Sequence, residues 1–226
     1  MAKTARVAVL LTGCGHMDGS EIRESVLALL ALDQHGAQVQ CVAPNAPQVQ
    51  VCDHASKHVV NGAARNMLEE ASRISRAGQC LDLAKAVPAE FDALVIPGGL
   101  GVAKNACTWA FSGVDAQVRS DVATFIKAFF HQKKPVGAIC IAPALVALCL
   151  AKENQKATLT LGDDPGIQAA MEKLGHTYHS VPSAREVVVD EALKLVTTSA
   201  YMFGDAQLSD VWIGIERCVA EVIKRV

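Results

Sequence analysis

Short runs of consecutive apolar residues alternate along this chain with longer stretches in which apolar positions recur every three or four residues. Arg6 to Thr12 (RVAVLLT), Ala93 to Ile96 and the segment from Pro135 to Cys140 are of the first kind, and Gln38 to Ala43, closed by Pro44, reads as a further strand. Continuous apolar runs of that length predict strands buried on both faces. The second kind predicts helices. One runs from about Glu21 to Gln34, capped by Ser20, with Ile22, Val26, Leu29, Leu30 and Asp33 on a largely apolar inner face and a stop at Gly36. Others are expected over Ala63 to Arg76, Val118 to His131, the stretch after Cys140 with Pro143 in its first turn, Pro165 to Leu174, and Asp205 to Arg225. Val49 to Cys52 and Leu159 to Leu161 read as short strands. Val187 to Val189 and Leu193 to Thr198 read as paired strands around an acidic turn.

Strands that alternate with helices imply a mainly parallel sheet with helices on both faces. No linker or low-complexity segment divides the chain, so residues 1–226 are expected to form one α/β domain. In such folds ligands sit outside the carboxyl ends of the strands. Three segments converge there: the loop Gly13 to Glu21, the loop after Ile96, and Cys140.

Cys140 ends its strand abruptly, between small Gly137 and Ala138 on one side and a helix on the other. A corner of this kind lifts a nucleophile out of the sheet, and the helix dipole is expected to favour thiolate there. Serine with flanking glycines is the commoner version, and a buried packing cysteine is the plain alternative. Glu21 has two readings as well. It can serve the dipole of the first helix, or it can face Cys140 with a raised pKa and shuttle a proton. In Pro97-Gly98-Gly99-Leu100-Gly101 the glycines let backbone approach a ligand, so the N–H groups of Gly99 and Ile141 could form an oxyanion hole beside the sulfur. The pattern of a phosphate loop is missing.

Composition narrows the classes. The 21 Lys+Arg and 23 Asp+Glu nearly balance and no long basic run appears, so no nucleic-acid partner is expected. The longest apolar stretch, Val136 to Ala151, is too short and too interrupted by Pro143 to span a bilayer, so no membrane partner is expected. The first apolar run begins close to Met1, which predicts no signal or transit peptide. Eight cysteines without C-x-x-C or zinc spacing fit reduced thiols in a cytoplasmic protein, with no metal. Of the seven histidines, His35 and His131 fall near helix C-termini, and only His16 lies on a loop at the expected cleft.

Taken together, Gly13-Cys14-Gly15, Asp18-Gly19-Ser20-Glu21-Ile22, Arg65-Asn66, Pro97-Gly98-Gly99 with Ala103-Lys104-Asn105, Cys140-Ile141-Ala142-Pro143, and Thr197-Thr198 with Ala200-Tyr201-Met202 resemble the ElbB family. That family lies within the class I glutamine amidotransferase-like superfamily, which includes the PfpI proteases. The resemblance covers almost the whole chain. It implies a flavodoxin-like three-layer sandwich, a nucleophile-elbow cysteine at Cys140 and an acidic partner at Glu21. It also implies cofactor-independent conversion of glyoxal, or a related small dicarbonyl, to a 2-hydroxy acid. His16, Asp18, Gly98 and Asn105 are the further pocket candidates, and superfamily relatives lead us to expect a homodimer. Leu100 stands where Phe is more usual and Val102 where Ala is. Ile141 follows the nucleophile where many superfamily members carry His, and no downstream H-x-E exists, so an amidotransferase triad cannot be written. The alternative is a non-enzymatic redox-responsive or partner-binding protein whose Cys140 is oxidised.

Overall fold

In the computed structural model, residues 4–76 and 78–226 are described. The first half runs β1 (Arg6–Leu10), α1 (Ile22–Gln34), β2 (Gln38–Ala43), a two-stranded excursion β3 (Cys52–Asp53) and β4 (His58–Val59), α2 (Met67–Ser75), β5 (Cys80–Asp82) and β6 (Ala93–Ile96). A π-turn (Val102–Ala106), the single turn α3 (Trp109–Ser112), α4 (Ser120–His131), β7 (Val136–Ile139) and α5 (Ala142–Ala151) follow. The chain closes with β8 (Thr158–Leu159), α6 (Pro165–Lys173), β9 (Thr177–Tyr178), β10 (Val187–Asp190), β11 (Leu195–Thr198) and α7 (Leu208–Lys224).

Seven strands form the main sheet in the order β10-β11-β7-β6-β1-β2-β5. All neighbours are parallel except β10, which pairs antiparallel with β11. Val7–Leu10, Ala93–Ile96 and Leu195–Val196 are fully buried, which explains their unbroken apolar runs. Helices α1 and α7 pack on each other, as do α4 and α5, giving the flavodoxin-like α/β sandwich. From β1 the chain moves to β2 on one side and later to β6 on the other. That reversal opens a crevice at the carboxyl ends of β1 and β6.

The first helix corrects two expectations. Its N-cap is Glu21, whose side chain accepts the Glu24 N–H. The Ser20 hydroxyl instead accepts the Thr12 N–H at 2.9 Å and so ties the loop to β1. The buried face carries Glu24, Ser25, Ala28, Ala31 and Leu32. Ile22, Val26 and Leu30 of the expected inner face are 47%, 48% and 42% exposed. Small residues let the helix approach the protein closely, so they were preferred there over the bulkier stripe.

The imidazoles of His35 and His131 meet Glu216 and Glu153, at 3.2 and 2.9 Å. His176 is buried; its Nδ1 accepts the Ala157 N–H and its Nε2 donates to the Ala147 carbonyl. Among the described residues no helix is long and apolar enough to cross a membrane.

Candidate functional site

Four neighbouring strands deliver the site: β1 through the loop Thr12–Ser20, β6 through Gly98-Gly99, β7 through Cys140, and β11 through the turn Ala200–Met202. Cys140 sits between β7 and α5 at φ +61, a left-handed conformation uncommon outside glycine. Its N–H donates to the Thr198 carbonyl at 2.8 Å, which fixes the corner. The residue is 7% exposed, so only a small part of it meets the outside. Gly98 passes directly beneath. A Cβ there would lie 2.5 Å from Cys140 Cβ, 2.6 Å from Glu24 Oε2 and 2.9 Å from the sulfur. Gly99 adopts φ +99 against the backbone of Gly19 and Ser20, and its N–H, with that of Ile141, points at the sulfur.

The carboxyl that touches the sulfur is Glu24, one helical turn beyond the expected Glu21. Glu24 is fully buried. Its Oε2 accepts the Gly98 N–H at 2.9 Å, its Oε1 accepts the Tyr201 N–H at 3.3 Å, and it shares a hydrogen bond with the Cys140 thiol. Burial, reinforced by the charge of Glu21, pushes the Glu24 carboxyl up to about 8, so it keeps its proton at neutral pH. Glu21 is displaced from the sulfur because its Oε2 is engaged by the Glu24 N–H at 2.6 Å, although it lines the space in front of the thiol. The position of Glu24 in the helix interior follows from the cap at Glu21, which places Glu24 on the inward face with Ser25 and Ala28.

The helix dipole does not win at the sulfur. Burial, and then the neighbouring Glu24, raise Cys140 well above the usual thiol range, while the Gly99 and Ile141 N–H groups pull the other way. The expected easy thiolate is therefore replaced by a neutral thiol beside a neutral acid.

Cys140 opens on a chamber of about 230 Å³ lined also by His16, Glu21, Gly99, Leu100, Ile141, Tyr201 and Met202, with Glu24 buried behind the sulfur. A second chamber of about 610 Å³ adjoins it and shares His16, Glu21 and Tyr201, adding Ile22, Arg23 and Gly204. His16 thus reaches the cleft, where its ring stands edge-on to His54 at 5.0 Å between centroids. His54 Nε2 accepts the Met17 N–H at 3.3 Å, a brace that the sequence reading did not anticipate.

Asp18 and Asn105 do not line either chamber. Asp18 is buried behind the loop, where Oδ2 accepts the Cys52 N–H at 2.7 Å and lies 3.5 Å from Arg65. Asn105 donates to the carbonyls of Thr12 and Asp18 and accepts the Val49 N–H. Both hold the loop that carries His16 and Glu21, so their place in the motif reflects shape. Gly98 contributes by its smallness beneath the sulfur. Among the described residues no group of three or more His, Cys, Asp and Glu side chains is arranged to hold a metal, and all eight cysteines are free.

A mainly parallel sandwich with a cysteine at a strand-to-helix corner defines the class I amidotransferase-like proteins. The chain belongs to the DJ-1/PfpI family, whose profile matches residues 5–206. A relative in Homo sapiens, glutamine amidotransferase-like class 1 domain-containing protein 3, mitochondrial, is 39% identical over 229 residues, taking in 97% of this chain and 83% of that one. The crystal structure of an isoprenoid biosynthesis protein with amidotransferase-like domain from Ehrlichia chaffeensis superposes with a TM-score of 0.91 at 39% identity, covering 98% of this chain and 99% of that one. Glyoxalase III from Candida albicans superposes with a TM-score of 0.60 at 13% identity, over 98% and 97% of the two chains, a likeness of fold alone.

Proposed function

We propose that this chain is an ElbB-like, cofactor-independent glyoxalase in which Cys140 and Glu24 form the reactive pair. The observation that carries this reading is the buried Glu24 carboxyl hydrogen-bonded to the Cys140 thiol, which itself lines a small chamber. The sulfur attacks one aldehyde carbon of glyoxal. The carbonyl π bond breaks, the C–S bond forms, and the thiol proton passes through Glu24 to the new oxygen, giving a hemithioacetal. The N–H groups of Gly99 and Ile141 stabilise the charge that develops on that oxygen. Glu24 then gives its proton to the second carbonyl oxygen as it takes the carbon-bound proton, forming an enediol, and next gives that proton to the neighbouring carbon as it takes the hydroxyl proton of the first, which leaves a thioester of the 2-hydroxy acid. Water cleaves the C–S bond, restoring the thiol and releasing glycolate, so that one glyoxal and one water give one glycolate. Glu21, on the chamber wall, is the second carboxylate in reach of substrate and bounds the space.

The test is turnover of glyoxal by purified protein, with glycolate measured as product. Catalytic glycolate formation supports the reading. Consumption that stops at one equivalent per chain, with Cys140 modified, would instead support the redox-responsive or partner-binding alternative.

The reading includes two further expectations. A homodimer is proposed, since Ile22, Val26 and Leu30 form an exposed apolar stripe along α1. Light scattering is expected to give twice the 23.9 kDa chain mass; the mass of one chain would remove the dimer. A cytoplasmic location is proposed beside a human relative whose name places it in mitochondria. Fractionation of cells that express the native gene decides between the compartments.

A further inference from the structure

The outer chamber has a feature that a bare two-carbon dicarbonyl would not use. Arg23, on the second residue of α1, lines it and is exposed. One guanidinium nitrogen donates to the Tyr201 hydroxyl at 3.1 Å, and the guanidinium carbon stands 5.9 Å from the Tyr201 ring centroid. Among the described residues it makes no ion pair within 4.0 Å, although the Glu21 charge acts on it, and its hydrogen bond to Tyr201 engages only one of its donors. Accepting from Arg23 also leaves the Tyr201 hydroxyl free to donate. The other ionisable groups on the chamber wall are His16 and Glu21, and Glu21 Oε2 is engaged by the Glu24 N–H.

This arm is fixed to the reactive pair. The Tyr201 N–H donates to Glu24 Oε1, and the preceding Ala200 is buried at φ +41, a strained backbone that aims Tyr201 between the two chambers. Arg23 is thereby held at the rim of the chamber that leads to Cys140. A planar guanidinium with spare donors beside a phenol suits a carboxylate or phosphate.

We infer that Arg23, positioned by Tyr201, binds an anionic group of the substrate, so that the natural substrate is an oxo compound carrying a carboxylate or phosphate at the end remote from the carbonyl that meets Cys140. The inference rests on the proposal that substrate reaches Cys140 through these chambers, and the experiment separates the two.

The rate of Cys140 alkylation is compared for N-(iodoacetyl)glycine, its phosphonate analogue N-(iodoacetyl)aminomethylphosphonate, and the neutral methylamide of the first. Each rate is divided by that for free glutathione. The parent protein is expected to favour at least one anionic reagent by about tenfold, the scale of a charge-assisted hydrogen bond. Arg23→Gln is expected to bring the preference close to one. The stronger of the two anionic reagents identifies carboxylate or phosphate. In parallel, the unreactive N-acetylglycine and acetylaminomethylphosphonate are titrated against the parent and Arg23→Gln proteins, with severalfold weaker binding expected in the variant. Cys140 that reacts with none of the reagents, alongside Arg23-dependent binding, would count against the nucleophile while leaving the anion subsite standing. The same anion preference and the same binding in Arg23→Gln as in the parent would overturn the subsite.

Discussion

Glu24→Gln is expected to lower glyoxal turnover by ~10²-fold or more, the usual loss for a general acid–base, while Glu21→Gln lowers it by less than about tenfold. The amide fills the same space against the sulfur, but its single oxygen can accept only one of the Gly98 and Tyr201 N–H groups and it cannot pass a proton. Glu24→Leu removes the charge and the hydrogen bond by which Glu24 raises the Cys140 thiol, so alkylation of Cys140 is expected to be no slower than in the parent while turnover is lost. The order of the two glutamine variants is the decisive reading. A larger loss at Glu21 returns the relay to the carboxylate that caps α1. The same assignment fixes a pH dependence. With its carboxyl at about 8, Glu24 is protonated below that value and ionised above it, so turnover should fall as pH rises through about 8. A rate that climbs steadily through this window puts the ionisation of the sulfur in control and removes the relay. Stability carries the same sign. From the usual carboxyl range up to about 8 the unfolded chain releases a proton that the folded chain keeps, so folding stability declines across that interval.

Gly98→Ala carries the second large effect. The added methyl would meet Cys140 Cβ at 2.5 Å and Glu24 Oε2 at 2.6 Å, and the neighbouring groups are backbone-tethered on both sides. Either the pair separates or the β6 turn withdraws, and with it the Gly98 N–H that Glu24 accepts. Overpacking of this kind costs about 1–3 kcal/mol, and turnover is expected to fall by ~10²-fold because both reacting groups are displaced. Chemical denaturation and glyoxal kinetics on the same preparation check the two parts. Parent-like turnover would mean that the contact between Cys140 and Glu24 is not needed for the reaction.

The central strands of the sheet were legible because they are buried on both faces. Ala93–Ile96 coincides with its apolar run, Gln38–Ala43 is a strand at the expected bounds although only its second half is buried, and the corner at Cys140 announced itself through Gly137, Ala138 and Pro143. The edge strand Cys80–Asp82 did not, because three half-buried residues carry too little pattern. Helix α1 was misread for a physical reason. It has a bulky apolar stripe and a small-residue stripe, and the protein buries the second, leaving Ile22, Val26 and Leu30 outside.

That misreading also hid Glu24. A carboxylate inside a helix normally points to water, and Glu21 at the helix start was the more conspicuous acid. The available signal was the company Glu24 keeps: Ser25, Ala28 and Leu32 share its face and leave room for close approach. Motif membership misled at Asp18 and Asn105, where the loop requires buried braces, and the dipole argument at Cys140 failed because desolvation outweighs it. Arg23 and Tyr201 are 178 residues apart in the chain, so only the meeting of α1 with the turn after β11 could reveal them together.

The most direct measurement follows Cys140 itself during turnover. Protein quenched while consuming glyoxal is digested and mapped by mass, and glycolate is followed in parallel for the parent and Cys140→Ser proteins. The account predicts a transient adduct on the Cys140 peptide that disappears when glyoxal is exhausted, with no catalytic glycolate from Cys140→Ser. Glycolate formed by Cys140→Ser at the parent rate would contradict it.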